Sequence, residues 1–128
     1  TPPVRALILF AHGSLLCGSG EALDAHAERL RALGLADRVA VGYLNYTEPS
    51  FAATVDALAA EGVTEVRVLP YFLAPGYFVT HALPECLDAA RAKHPEIAFT
   101  VAEPMGGDPR WIDAVLEAAA AARGPQAW

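Results

Sequence analysis

Residues 5–11, Arg5-Ala6-Leu7-Ile8-Leu9-Phe10-Ala11, form a near-continuous apolar run that stops at His12-Gly13-Ser14. A strand with one face in water alternates apolar and polar side chains. A strand that does not alternate has to be covered on both faces, as in a parallel sheet held between helices. The rest of the chain provides that cover. After a loop from Leu15 to Gly20, Leu23, Ala27, Leu30 and Leu33 recur at three- and four-residue spacing, an apolar helical stripe that Gly34 can close.

The pattern then repeats. Val39-Ala40-Val41-Gly42-Tyr43-Leu44 is a second strand; Pro49 opens a helix that turns Phe51, Val55 and Leu58 inward and ends at Gly62. Val63 to Leu69 is a third strand, punctuated by Pro70, and the loop Tyr71 to Phe78 leads to a helix that starts at Val79 or Leu83 and runs to Lys93. Ile97 to Val101 is a fourth strand, Glu103 to Asp108 a loop, and Trp111 to Ala122 a last helix stopped by Gly124-Pro125. Strands alternating with helices imply right-handed crossovers. The expected fold is therefore α/β: one domain over residues 1–128, a four-stranded parallel sheet of order 2-1-3-4, and helices on both faces. In that order the connections leave strand one in opposite directions. A crevice opens between strands one and three at their carboxyl ends, where open α/β sheets hold ligands.

Composition narrows the function. Hydrophobic residues make up 54% of the chain, yet charged residues interrupt them and no run approaches the ~20 apolar residues of a membrane span. Thr1-Pro2-Pro3 leads straight into a strand without a signal-peptide pattern, so a cytoplasmic protein is expected. A net charge of −6 argues against nucleic acid and anionic membranes as partners. Cys17 and Cys86 form neither a CxxC pair nor a thiolate cluster and read as free thiols. Gly18-Ser19-Gly20 belongs to no GxxxxGK[ST], GxGxxG or GxSxG pattern, so no nucleotide cofactor is expected.

His12 follows the first buried strand directly, a rigid position from which an imidazole can enter the crevice as metal ligand or general base. Ser14 can orient it. Glu48 and Glu103 stand near other strand ends, as ligands, bases or caps of the helix or loop behind them. The loop from Leu73 to His81 is apolar and aromatic, suited to a flat hydrophobic ligand or a subunit interface, and His81 is placed to approach His12 or to point outward. His26 and His94 read as solvated, and Trp111 as core or a helix staple.

Five segments in order, Ala11-His12-Gly13-Ser14, Tyr43 to Ser50, Val68 to Gly76, Leu83-Pro84 and Ala102-Glu103-Pro104-Met105-Gly106, resemble the short sirohydrochlorin chelatases of the CbiX type. These are half-length relatives of ferrochelatases and anaerobic cobalt chelatases. The resemblance runs from Ala6 to about Ala122. It implies a homodimeric lyase of cobalamin and porphyrin biosynthesis that inserts Co²⁺, or in related members Ni²⁺ or Fe²⁺, into a tetrapyrrole without ATP. His12 matches the family's first metal histidine, with Glu48 and Glu103 as helpers. The macrocycle-binding set that goes with it is Ser14, Tyr71, Gly76 and Phe78. The family's second histidine, two residues after the loop glycine, is replaced here by Phe78, and its aspartate by Ala82. His81, one turn further on, is the candidate replacement ligand. The alternatives are a metal- or tetrapyrrole-binding domain without insertion activity, and a metal-independent acid–base enzyme using His12 and Glu103. Sirohydrochlorin carries several carboxylates, for which Arg110 is the cation nominated from the sequence.

Overall fold

The structure, a computed structural model, describes residues 2–13, 21–45, 47–72, 76, 78–104 and 108–121, with the backbone alone at 21, 22, 78 and 79. The elements run β1 (Arg5–Ala11), α1 (Glu21–Leu33), β2 (Arg38–Tyr43), α2 (Phe51–Ala60), β3 (Glu65–Pro70), a π-helical turn (Phe78–Ala82), α3 (Leu83–Lys93), β4 (Ala98–Val101) and α4 (Arg110–Ala121). All strand pairs are parallel and the sheet order is β2-β1-β3-β4, as the apolar runs imply. β1 is central, which is why it lacks a polar face.

Alternate β1 side chains enter two separate clusters. Ala6, Ile8 and Phe10 join Phe51, Val55 and Leu58 of α2 and Leu83, Leu87 and Ala90 of α3. Leu9 joins Leu23 and Ala27 of α1, together with Val39 and Tyr43 of β2. The Phe10 and Phe51 rings stack with centroids 4.4 Å apart, fixing α2 on its side of the sheet. Ser50 caps α2 by accepting a bond from the Ala53 amide at 3.1 Å.

The edge strand β2 is closed from both faces. The Arg31 guanidinium donates to the Val39 carbonyl at 2.7 and 3.0 Å, and the buried Thr54 hydroxyl donates to the Val41 carbonyl at 2.7 Å. These are outward carbonyls that a neighbouring strand would otherwise satisfy.

Two expectations about packing are corrected. Leu33 completes the stripe in sequence but stands 56% exposed, because it falls at the last residue of α1 beyond the sheet-facing turn. Trp111 is neither core nor staple. It is 36% exposed at the start of α4, where its side chain rims a surface cleft, and no residue of α4 is buried.

Candidate functional site

The carboxyl end of β1 is held from both sides past its last residue. On one side the Leu44 amide donates to Ala11 at 3.0 Å and the Asn45 amide to His12 at 2.9 Å; on the other the Tyr71 amide donates to Phe10 at 2.9 Å. His12 thus emerges from a fixed three-strand rim at the point where the connections diverge. Gly13 turns the chain there with φ of 94°, and a β-carbon on it would lie 1.8 Å from the Asn45 carbonyl oxygen. No other residue type fits between His12 and β2.

His12 is exposed, with Nδ1 3.3 Å from the Gly13 carbonyl oxygen. A carbonyl only accepts, so the neutral ring carries its proton on Nδ1 and its lone pair on Nε2. His81 reaches the same state by a longer route. The Thr80 amide and hydroxyl both donate to the Gly76 carbonyl at 2.9 Å, which commits the hydroxyl's single hydrogen. Its contact with His81 Nδ1 at 2.8 Å is then a bond donated by the ring, and the His81 lone pair also sits on Nε2. A histidine whose second nitrogen is fixed by a hydrogen bond is the usual form of a metal ligand. The turn that carries His81 begins at Phe78 and is π-helical, a distortion frequent at functional sites.

The two glutamates differ in surroundings. Glu48 is exposed, and the side-chain cap of α2 is Ser50. Glu103 follows Ala102, whose amide is bound to the Val68 carbonyl at 2.9 Å, and lines a cleft of about 930 Å³ with Leu69, Pro104, Asp108, Arg110 and Trp111. Arg110, the cation nominated from the sequence, is 90% exposed and shares its guanidinium with Asp108. Its Nε lies 3.1 Å from each Asp108 oxygen, and the hydrogen bonds from Arg110 hold the Asp108 carboxyl down at about 2. Among the described residues no three His, Cys, Asp or Glu side chains gather into a metal cage. Ser14 and Cys17 lie outside the described residues, as does the Phe78 side chain; Cys86 is a free thiol whose pKa burial and then Glu85 raise.

Three side chains were misjudged or missed. His26 is exposed, as the sequence implies, and what the sequence misses is its partner: Nδ1 lies 3.0 Å from the Tyr71 hydroxyl, the rings 5.5 Å apart and tilted by 50°. The available signal was its position on α1 between the inward residues Leu23 and Ala27. His94, also read as solvated, has a side chain only 15% exposed, with Nε2 2.6 Å from Asp56. Tyr43 is 3% exposed and its hydroxyl has no hydrogen-bond partner among the described residues; burial and then the charge of Asp24 raise its pKa. Burial likewise raises Tyr71, which keeps it a protonated donor.

The CbiX family model matches residues 6–122. The chain belongs to the CbiX family. Among its CbiX relatives in sequence, the sirohydrochlorin cobaltochelatase of Methanothermobacter thermautotrophicus is 32% identical over 133 residues, which cover 90% of each chain. The corresponding protein of Methanococcus maripaludis is 30% identical over 141 residues, covering 91% of this chain and 98% of its own. In structure, a CbiX protein from Marinobacter aquaeolei superposes with a TM-score of 0.75 at 29% identity, covering 88% of this chain and 92% of that one. The sirohydrochlorin chelatase SirB of Bacillus subtilis subspecies spizizenii, solved in complex with cobalt, shares the fold with a TM-score of 0.82 at 24% identity; the match covers 89% of this chain and 49% of SirB.

Proposed function

We propose that this chain is a metal chelatase that inserts a divalent ion, Co²⁺ ahead of Ni²⁺ or Fe²⁺, into sirohydrochlorin. The observation that carries the proposal is alignment over nearly the whole length of relatives named for that activity, 90% and 98% of two of them. His12, at the divergence of the strand connections, supports it. Insertion requires a partly dehydrated metal and acceptors for the two protons released by the pyrrole nitrogens. His12 and His81 supply imidazole nitrogens of the kind that bind Co²⁺, Ni²⁺ or Fe²⁺. Glu48 and Glu103 are the proton acceptors, and Tyr71, Gly76 and Phe78, with Ser14, are the macrocycle contacts. No step calls for a nucleotide. A cytoplasmic homodimer is the expected setting.

The test is anaerobic incubation with sirohydrochlorin and Co²⁺, followed by absorbance against a protein-free control. Acceleration that falls at least tenfold in His12→Ala is the expected result, and a rate equal to the control overturns the proposal. Phe78, in place of the family's second histidine, favours a second assignment, a tetrapyrrole-binding domain without turnover. Binding of the macrocycle with no acceleration is its signature.

A further inference from the structure

The proposed substrate is polyanionic and this chain carries a net charge of −6. Arg110 is paired with Asp108, while Glu48 and Glu103 add negative charge near the strand ends. Arg5 and Arg38 open β1 and β2 at the opposite end of the sheet, and Arg31 is bound to the Val39 carbonyl. A hydrogen-bond donor beside the strand ends can share the recognition of carboxylate arms with the chain's cations. Tyr71 is placed for it: its amide is tied to Phe10 at the end of β1, its phenol is half-buried, and its hydroxyl reaches His26 on α1.

We propose that Tyr71 and His26 form a clamp for one carboxylate arm of the tetrapyrrole, Tyr71 donating to the arm and His26 positioning Tyr71. The inference rests on the proposed substrate. A phenol has one hydrogen. When His26 donates from Nδ1 to the Tyr71 oxygen, that hydrogen is directed away from the imidazole and is left for a ligand. An arriving carboxylate, which only accepts, selects this order, and the bond it receives is the stronger for its charge.

The test is an absorbance titration of metal-free sirohydrochlorin into the wild type and three variants, repeated with the octamethyl ester in mild detergent. Loss of a hydrogen bond to a charged group predicts about tenfold weaker binding for Tyr71→Phe. His26→Leu, an exposed helical substitution that leaves the core untouched, is expected to weaken binding severalfold. His26→Asn, which returns a polar group near the Nδ1 position, is expected to restore it to within about twofold. The differences vanish with the ester. In turnover, Tyr71→Phe raises KM with kcat unchanged. Wild-type affinity in Tyr71→Phe, or an equal loss with the ester, overturns the clamp. A wild type that binds without inserting metal overturns the chelatase assignment while the titration still decides the clamp; a wild type that binds no macrocycle overturns both.

Discussion

Replacing Gly13 by alanine tests the close approach on which the His12 rim depends. Gly34 and Gly62 serve as controls, since their φ values of 67° and 85° are also positive but a β-carbon on either meets nothing within 4 Å. The controls bear only the left-handed backbone strain, about 1–2 kcal/mol, partly offset by the lower entropy of the unfolded alanine chain. At Gly13 the new carbon falls 1.8 Å from the Asn45 oxygen, so that carbonyl has to retreat. Asn45 is held by its amide bond to His12 at 2.9 Å and by the Thr47 amide on its oxygen at 2.8 Å, and both are disturbed. With about 1 kcal/mol for each bond, the total approaches 3 kcal/mol. An unfolding entropy of about 2.1 cal/mol/K per residue makes each kcal/mol worth about 4 °C in this chain. Thermal unfolding followed by circular dichroism should therefore place the controls about 4 °C below wild type and Gly13→Ala about 11 °C below. Metal insertion should fall with Gly13→Ala alone. If all three variants melt together, the contact between Gly13 and Asn45 does not govern the rim.

Tyr43→Phe removes a buried hydroxyl that has no partner among the described residues and should stabilise the fold by about 1 kcal/mol, read as a higher urea midpoint at unchanged m. Thr54→Val keeps the side-chain shape but leaves the Val41 carbonyl unpaired, and the same assay should show a loss of about 1–2 kcal/mol. His94 is raised above its ordinary 6.5, first by its hydrogen bond to Asp56 and further by Glu96, so its contribution is complete below pH 6.5 and fades as pH rises through the raised value. Asp56 is lowered below its ordinary 3.8 by His94 and Lys93, so its contribution holds above that value and fades in stronger acid. Asp56→Asn should flatten the fall in urea midpoint between pH 6.5 and 8; an unchanged slope would remove the pair from the pH dependence.

The sheet was readable because its signals are local. An apolar run without alternation says buried on both faces, and β1 occupies the centre of the order β2-β1-β3-β4. His12 was readable for the same reason, as the first polar residue after that run. The partnerships were not. His26 meets Tyr71 across 45 positions and His94 meets Asp56 across 38, so helical periodicity assigns each a face but not a partner. The state of His81 depends on one hydroxyl hydrogen bound to a carbonyl four residues earlier, for which the string Gly76 to His81 has no distinctive pattern. α4 places none of its residues in the core, Ile112 and Leu116 being 58% and 62% exposed, which its span read from the sequence does not show.

The closure of β2 gives the sheet a direction of growth. With the Val39 and Val41 carbonyls occupied by Arg31 and Thr54, an additional strand approaching that side would have to displace a guanidinium and a buried hydroxyl before making its first ladder bond. No described side chain donates to the outward carbonyls of β4, at the other margin. Extension of the sheet, by a grafted hairpin in an engineered chain or by mispairing during overexpression, is thereby directed to β4. Its four residues give an incoming strand little length on which to hold register.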